Sequence, residues 1–290
     1  MACLLCGRGE LALQVRKDGY DVRSCESCGL VQLDPLPPAA LRASLYGNAY
    51  FASEAREIGY QDYAAQETEY VTTFAEDLRC IAAWVPHGSV LDVGCGYGYF
   101  LQAAAAAGYH PFGVDVAGHA VQVAAKRFAG HVFEGVLETI PELAGRAFDV
   151  VFASHVVEHV AAPRAFVTGL ADRLSERGVL VLVTPNVRSL LARLSGSRWV
   201  SYKFPEHVAF YDPHTIRHLL EASGLEVLTI DPAYQHYRLS FVAHRVRELI
   251  RPMDKLVPRV ERHRLLRDRM VRVTSGSLRV IARRRQRGYA

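Results

Sequence analysis

The sequence predicts an α/β fold, in which a mainly parallel sheet carries helices on both faces. Short apolar strands alternate with helical segments between residues 81 and 235, and this alternation is the pattern of a parallel sheet. A glycine-rich turn joins the first of these strands to a helix, as in nucleotide-binding α/β domains. The chain has 290 residues, of which 50% are hydrophobic, so it is long enough for one such domain with small additions at its ends.

We divide the chain into four predicted parts. Residues 1–36, which hold two pairs of cysteines, are predicted to form a zinc-ribbon module, and residues 37–80 a linker with a helical cap. The cofactor-binding domain is expected over residues 81–235, with an inserted cap at about 186–211. Residues 236–290 are predicted to form a basic tail of amphipathic helices.

The N-terminal module is predicted from two CxxC pairs, each followed by glycine: Cys3, Cys6, Cys25 and Cys28. Thiolates at this spacing can reach one tetrahedral zinc ion, and the glycine lets the backbone turn beneath it. A hairpin over Leu11 to Val22, turning at Asp18-Gly19, would bring the pairs together. Four thiolates leave zinc no open position, which favours a structural role. The alternative is four buried or redox-active cysteines.

Charge is distributed unevenly along the chain. The net charge is +4, yet the residues from Arg245 to the end hold 15 Lys and Arg against 4 Asp and Glu. Apolar residues such as Leu239, Val242, Val246 and Leu249 recur at helical spacing in this region, which predicts basic amphipathic helices. Such helices suit an anionic membrane surface, a phosphate group of the substrate or a nucleic acid. An oligomer contact and a solvated appendage remain alternatives.

A glycine turn marks the predicted cofactor site. The strand at residues 89–93 runs into the turn Gly94 to Gly98, and an alanine-rich helix follows. Glycines let a backbone approach a ligand closely, and a helix N-terminus offers free N–H groups to an anionic group. The next strand ends in Asp115, 21 residues after Gly94. A carboxylate at this position can accept hydrogen bonds from a ribose diol.

This turn and two later segments resemble class I S-adenosylmethionine-dependent methyltransferases. Residues 90–98 are similar to the first motif of that family, residues 148–160 to its fourth motif and residues 174–180 to the approach to its fifth strand. A dinucleotide fingerprint would need GxGxxG instead. The resemblance covers roughly residues 70–230 and implies a Rossmann-like sheet that binds S-adenosylmethionine (SAM).

The resemblance also implies roles for individual residues. Asp92 would orient the turn, the turn would hold the methionine part of SAM, and Asp115 would hold the ribose. Val136 and Leu137 would flank the adenine. Many relatives carry an aspartate at the position of Val136, so backbone or water would contact the adenine amino group here. The implied cofactor residues are Asp92, Gly94, Cys95, Gly96, Tyr97, Gly98, Asp115, Val116, Val136, Leu137 and Ser154.

The N-terminal half is similar to a subgroup of bacterial methyltransferases that begin with a cysteine-pair zinc module. Their LY, YF and GYxDY elements correspond to Leu45-Tyr46, Tyr50-Phe51 and residues 59–63. Members of this subgroup modify small molecules, sugars or surface glycans. The resemblance therefore implies a small-molecule, sugar or lipid-linked glycan acceptor, with O-methylation favoured over C- or N-methylation.

Side chains that follow the strand at residues 148–153 are candidates for catalysis. Ligands of an open α/β sheet bind beyond the carboxyl ends of the strands, where this strand delivers Ser154 and His155. Histidine suits a general base near neutral pH. Glu158 and His159 follow at helical spacing. Three interpretations remain open: a capping role, His155 as the base, and a divalent metal site similar to that of ubiquinone-biosynthesis O-methyltransferases.

A further candidate is His207, which lies in the predicted insertion. The segment Lys203 to Tyr211 resembles the PEH element of the family. The insertion is long enough to cover the acceptor site, so His207 is a candidate base or acceptor contact. The alternative is a structural histidine that only makes hydrogen bonds.

Two other functions fit parts of the sequence. An RNA or DNA methyltransferase would use the zinc module and the basic tail, but Ala153-Ser154-His155 stands where amino-group DNA methyltransferases carry Asn or Asp followed by two prolines. A regulatory protein without turnover is disfavoured by the intact glycine turn. The sequence lacks the roughly 20-residue apolar run of a membrane span and the apolar run of a signal peptide. We therefore expect a cytoplasmic protein, with peripheral binding at the inner membrane as an option.

Overall fold

The computed structural model describes residues 2–45, 63–243 and 264–285. Most of the aromatic linker elements, at residues 46–62, lie outside the described residues. So do residues 244–263 and 286–290 of the predicted tail.

The cysteine segment forms a small antiparallel sheet. Strands β1 (Leu11–Lys17) and β2 (Tyr20–Cys25) form the predicted hairpin. Its turn at Asp18-Gly19 has two positive φ angles, 51° and 79°, as a tight two-residue hairpin requires. Strands β3 (Val31–Leu33) and β9 (Ala209–Phe210) complete the order β1-β2-β3-β9. Because β9 comes from the predicted insertion, the cysteine segment and the insertion share one sheet.

The central sheet has seven strands: β4 (Ser89–Val93), β5 (His110–Asp115), β6 (Val132–Glu134), β7 (Phe148–Ser154), β8 (Leu174–Pro185), β10 (Leu225–Arg238) and β11 (Met270–Arg284). Their order is β10-β11-β8-β7-β4-β5-β6. Strands β4 to β8 are parallel to one another, whereas β11 runs antiparallel to both β8 and β10. This confirms the predicted α/β fold. Strands β5 and β6 lie on one side of β4 and strands β7 and β8 on the other, so the strand order reverses between β4 and β7.

The described residues include eight α-helices: α1 (Ala39–Ser44), α2 (Glu67–Ile81), α3 (Tyr99–Ala106), α4 (Gly118–Ala125), α5 (Pro163–Asp172), α6 (Leu190–Ser195), α7 (Pro213–Ala222) and α8 (Arg264–Arg267). Helix α7 begins with the capping box of Asp212 and Thr215, which satisfies backbone donors at its first turn. No helix in the described parts of the chain is long and apolar enough to cross a membrane.

Alternate residues of the strands divide the core into two layers. Leu91 packs in a cluster with residues of α5 and α7, such as Leu170 and Leu219. Its neighbour Val90 packs in a second cluster with residues of α2, α3 and α4, such as Phe100. Strand residues that alternate in this way place helices on both faces of the sheet.

The predicted helical tail is wrong for residues 270–284, which form β11 between β8 and β10. Leu278, Val280 and Ala282 are buried on one face of this strand, and this period of two is the signature of a strand. The arginines between these residues and the helical spacing of apolar residues upstream obscured this pattern. The predicted domain boundary at residue 235 is therefore too early, because the sheet continues to Arg284. Helical structure is confined to residues 239–243 and to α8 among the described residues of this region.

Basic residues of β10 and β11 bind the acidic face of α2. The ion pairs are Glu69–Arg238, Glu76–Arg272 and Asp77–Arg279. The pair of Asp77 and Arg279 is buried, with Oδ1 and Nη1 2.8 Å apart. These arginines therefore hold α2 against the edge of the sheet.

Candidate active site and cysteine cluster

The glycine turn after β4 is shaped by backbone conformations that favour glycine. Gly94, Gly96 and Gly98 have φ angles of 83°, 52° and 81°. A Cβ atom on Gly94 would lie 2.5 Å from a methyl carbon of Val156, so a larger residue would need the loop after β7 to move. The N–H of Gly94 donates to the carbonyl of Val114 at 2.8 Å. The turn is thus fixed against β5, with bare backbone beside the cavity described below.

Asp115, at the end of β5, is held by the backbone on both of its oxygens. Oδ2 accepts from the N–H of Gly96 and Oδ1 from the N–H of Ala117, each at 2.8 Å. Burial raises the pKa of Asp115. Burial and the charge of Asp115 raise the pKa of the neighbouring Asp92 well above its usual range. Two buried carboxyl groups favour a ligand that brings hydrogen-bond donors or positive charge.

A cavity of about 380 Å³ lies at the carboxyl ends of β4, β5 and β7. Its place is the point where the strand order reverses, which is where open α/β sheets bind ligands. Most predicted cofactor residues line it: Asp92, Gly94, Cys95, Gly96, Asp115, Val116, Val136, Leu137 and Ser154. Tyr97 and Gly98 lie outside this lining. Tyr97 packs against Tyr63 and Tyr99, and Gly98 caps the N-terminus of α3.

Part of the cavity wall was missed by sequence reasoning. It comes from α2 and from the β10–β11 pair: Tyr70, Thr73, Phe74, Asp77, Ala233, Tyr234, Gln235 and Ser277. The predicted helical tail concealed β11. Of the described residues that line the cavity, none is Lys or Arg.

His155 and Glu158 form a hydrogen-bonded pair at the edge of this cavity. Nδ1 of His155 lies 3.1 Å from Oε1 of Glu158, and the hydroxyl of Thr184 donates to Oε2 at 3.0 Å. His155 lines the cavity, whereas Glu158 is buried behind it. The backbone of His155 has a φ of 56°, a strained conformation for a non-glycine residue. Its N–H donates to the carbonyl of Val183 at 2.8 Å, which holds that conformation.

The ionisation of Glu158 determines which nitrogen of His155 carries a proton. Burial opposes ionisation of Glu158, but the hydrogen bond from His155 and the nearby imidazoles of His159 and His207 lower its pKa to about 2. An ionised carboxylate only accepts hydrogen bonds. Nδ1 of His155 is therefore the donor, and Nε2 is left as its basic nitrogen.

His159 and His207 pack against each other beside this pair. Their rings make an edge contact with centroids 4.6 Å apart. His159 lines the cavity, whereas His207 is buried outside the lining and donates from Nδ1 to the carbonyl of Ser201 at 2.8 Å. Burial lowers the pKa of both imidazoles. The ligand atoms of Glu158, His159 and His207 lie within 4.8 Å of one another, but both oxygens of Glu158 already accept hydrogen bonds.

The four N-terminal cysteines converge into one cluster. Their sulfur atoms lie within 4.8 Å of one another, with Cys3 and Cys28 3.5 Å apart and Cys6 and Cys25 3.6 Å apart. Tetrahedral Zn–S bonds of about 2.3 Å place sulfurs about 3.8 Å apart, so the cluster has the dimensions of a zinc site. Burial opposes ionisation of Cys25, but the backbone N–H groups of Cys28 and Ser27 lower its pKa to about 7.

Comparisons with known proteins agree with this geometry. A family of methyltransferase domains matches residues 68–230. Ubiquinone biosynthesis O-methyltransferases from Idiomarina loihiensis, Cereibacter sphaeroides (strain ATCC 17025) and Schizosaccharomyces pombe are 31%, 30% and 35% identical over 157, 172 and 166 residues. These matches cover 49%, 54% and 54% of this chain and 63%, 70% and 57% of the respective relatives.

Two solved structures have the same fold. A SAM-dependent methyltransferase from Thermotoga maritima aligns with a TM-score of 0.52 at 15% identity, over 77% of this chain and 95% of that one. A SAM-dependent methyltransferase from Archaeoglobus fulgidus aligns with a TM-score of 0.51 at 21% identity, over 76% and 98%.

Proposed function

Because the chain belongs to the family of methyltransferase domains, we propose that it is a SAM-dependent O-methyltransferase whose acceptor is a hydroxyl group on a small molecule. One observation carries the proposal: His155, paired with the buried Glu158, lines the same cavity as the glycine turn. The relatives named as O-methyltransferases support this acceptor chemistry.

The cofactor end of the cavity suits SAM. The bare backbone at Gly94 and Gly96 admits the methionine part of the cofactor, and Asp115 can accept hydrogen bonds from its ribose. Val136 and Leu137 line the wall that an adenine ring would contact. Bound SAM supplies a methyl group on a positively charged sulfur, which the buried carboxyl groups of Asp92 and Asp115 favour electrostatically.

His155 acts as the general base. Glu158 accepts a hydrogen bond from Nδ1, so Nε2 can remove the proton of an acceptor hydroxyl as its oxygen attacks the methyl group. The imidazolium that results is stabilised by the carboxylate of Glu158, and Thr184 holds that carboxylate in place. The cavity positions the two reactants, which is the larger part of catalysis in a displacement of this kind.

The remaining cavity wall favours an uncharged acceptor. Tyr70, Phe74 and Tyr234 offer aromatic surface, and Gln235 and Asp77 offer polar contacts. A phosphate group would face Asp77 with no described Lys or Arg in the lining to neutralise it. A small hydroxylated molecule therefore fits this cavity better than a nucleic acid or a phosphorylated sugar.

We also infer that the cysteine cluster binds zinc. The sulfur spacing suits a tetrahedral ion, and the N–H of Leu5 donates to the sulfur of Cys3 at 3.4 Å, as metal-bound thiolates commonly require. Four thiolates would complete the coordination of the ion, so its role would be structural.

Calorimetry with SAM and a methyl-transfer assay test the proposal. We expect the folded protein to bind SAM and to release S-adenosylhomocysteine with one or more members of a panel of hydroxylated small molecules. The same assay with amines and with RNA distinguishes the other acceptor classes. Absence of SAM binding by folded protein would refute the proposal, and turnover with RNA or amines alone would refute the hydroxyl acceptor.

A further inference from the structure

A short path of hydrogen bonds leads from the cysteine segment to the proposed base. Strand β3 follows the second cysteine pair, and the N–H of Leu33 donates to the carbonyl of Val208 at 3.0 Å. The N–H of Val208 donates to the carbonyl of Glu158 at 2.8 Å. The carboxylate of Glu158 accepts from His155. The wall behind His155 is therefore built from β3 and the segment that enters β9.

The segments that carry the cysteine pairs hold β3 in place. The N–H of Cys25 donates to the carbonyl of Leu30 at 2.8 Å, which sets the chain direction into β3. Gln32 of β3 is fully buried, and its side-chain oxygen accepts from the N–H of Leu4 at 2.8 Å. Its backbone pairs with Ala209 of β9. Gln32 thus connects the first cysteine pair to β9.

Packing joins the same parts. Cys3, Cys25 and Cys28 belong to one buried cluster with Val157 and Tyr211. Burial raises the pKa of Tyr211, and the charges of Glu158 and Cys3 raise it further. Tyr211 is therefore near both the cysteine cluster and the proposed orienting carboxylate.

We propose that the cysteine cluster is a positioning module for the base: with a metal bound, it holds β3 against β9, and this wall keeps Glu158 where it orients His155. The proposal rests on the proposed function, because it takes His155 as the base and the cluster as a metal site. Gln32 and Val208 are the positioning residues, and neither lines the cavity.

The cofactor end of the cavity has separate supports. The glycine turn is fixed by Val114, and Asp115 by Gly96 and Ala117, all of them on or beside β4 and β5. Loss of the metal is therefore expected to disturb the state of His155 while leaving SAM binding in place. If the module were needed only for folding, loss of the metal would disturb His155 and SAM binding together.

The test uses the full chain and Cys6→Ser, since Cys6 is the least buried of the four cysteines. Cys6→His, which keeps a metal ligand, is the rescue variant, and Cys80→Ser outside the cluster is the matched control. Three quantities are measured for each protein: zinc content by mass spectrometry, SAM affinity by calorimetry, and the proton position on His155 by ¹⁵N NMR of the ring nitrogens, assigned with His155→Gln.

In the wild type, the control and the rescue variant, we expect one zinc per chain and a preference of about tenfold or more for the proton on Nδ1, as a hydrogen bond to a carboxylate produces. In Cys6→Ser we expect zinc loss and a mixture of the two tautomers, with SAM affinity within about threefold of the wild type. An unchanged preference for the Nδ1 proton in zinc-free Cys6→Ser would overturn the proposal. A loss of SAM affinity as large as the loss of this tautomer preference would overturn it as well. Wild-type protein that binds no SAM or holds no zinc would instead refute the proposed function.

Discussion

Glu158 combines full burial with hydrogen bonds on both carboxylate oxygens. Glu158→Gln keeps the size of the side chain but removes the charge that stabilises a protonated His155. We expect kcat to fall about 100-fold, within the range of general-base contributions, while SAM affinity measured by calorimetry stays unchanged. Glu142→Gln, on an exposed residue away from the cavity, is the control. Equal kcat values in the two variants would show that Glu158 does not assist His155 as the base.

The same carboxyl group is expected to make the fold sensitive to acid. The pKa of Glu158 is about 2 in the folded chain, below the value of about 4.3 in an unfolded chain. Its contribution to stability is therefore complete above the unfolded value and is lost as the pH falls toward 2. We expect the difference in unfolding free energy between wild type and Glu158→Gln to shrink by about 2 kcal/mol between about pH 6 and about pH 3. Urea titrations at each pH measure it, and a difference that stays constant would contradict the ionised Glu158.

Asp115 provides the matching test at the cofactor end. Asp115→Asn places an amide donor against one of the two N–H groups that the carboxylate now accepts. We expect SAM affinity to fall about 10- to 100-fold, as for the loss of hydrogen bonds to a charged group. Asp172→Asn, on an exposed residue of α5, should bind SAM as the wild type does. If Asp115→Asn retained the SAM affinity of the wild type, Asp115 would not be part of the cofactor site.

Several residues of the candidate site could be predicted from the sequence because strand ends are easy to locate. Asp115 and His155 follow from the rule that ligands bind at the carboxyl ends of parallel strands, whereas Asp92 was implied by the family resemblance. The position of His207 could not be predicted, because it depends on how the insertion folds. That segment packs its apolar residues against the cysteine hairpin and buries His207 behind the cavity lining.

At the scale of elements, the buried pair of Asp77 and Arg279 joins α2 to β11. Arg279→Gln leaves the Asp77 carboxyl buried without its cation, which we expect to cost about 3 kcal/mol of unfolding free energy near neutral pH. Arg283→Gln on the same strand breaks an exposed pair with Glu226 and should cost less than about 1 kcal/mol. Burial, opposed by Arg279, raises the pKa of Asp77 to about 6.

This pKa adds a pH dependence to the comparison of the two arginine variants. Because Arg279 lowers the pKa of Asp77, the carboxyl in Arg279→Gln takes up a proton at a higher pH than in the wild type. The penalty of Arg279→Gln should therefore be smaller below about pH 6, where both proteins are protonated, than at neutral pH, whereas that of Arg283→Gln should not change. Urea unfolding at neutral pH and at a pH below 6 measures both. Equal penalties in the two variants at neutral pH would show that the buried pair adds nothing beyond a surface contact.

The elements were predictable where the hydrophobic period was the dominant signal. The strands from β4 to β8 and the helices between them follow from alternation and from glycine turns. Strand β11 was missed because arginines interrupt its apolar residues. Only the pairing with β8 and β10 shows why Leu278, Val280 and Ala282 are buried.

At the scale of the whole molecule, the cysteine module was predicted as a separate N-terminal part. The structure instead places Cys3, Cys25 and Cys28 in one buried cluster with residues of the central sheet such as Leu180 and Leu182. Sequence spacing identifies four cysteines that could share one metal ion but not the surface against which they pack. That surface is set by long-range pairing between β3 and β9, which lie far apart in the chain.

A shared core predicts that the module and the main domain unfold together. Trp199 is fully buried in the cluster formed by the cysteine hairpin and the insertion, so its fluorescence reports this region, while circular dichroism reports the whole chain. We expect both signals to give one coincident urea transition in zinc-loaded protein. In Cys25→Ser, which lacks one ligand, we expect zinc to be lost and both transitions to move together to lower urea. Trp84→Phe, which removes a half-exposed tryptophan, isolates the Trp199 signal and serves as the parent for both proteins. A fluorescence transition that precedes the loss of circular dichroism would show that the module is an independent domain after all.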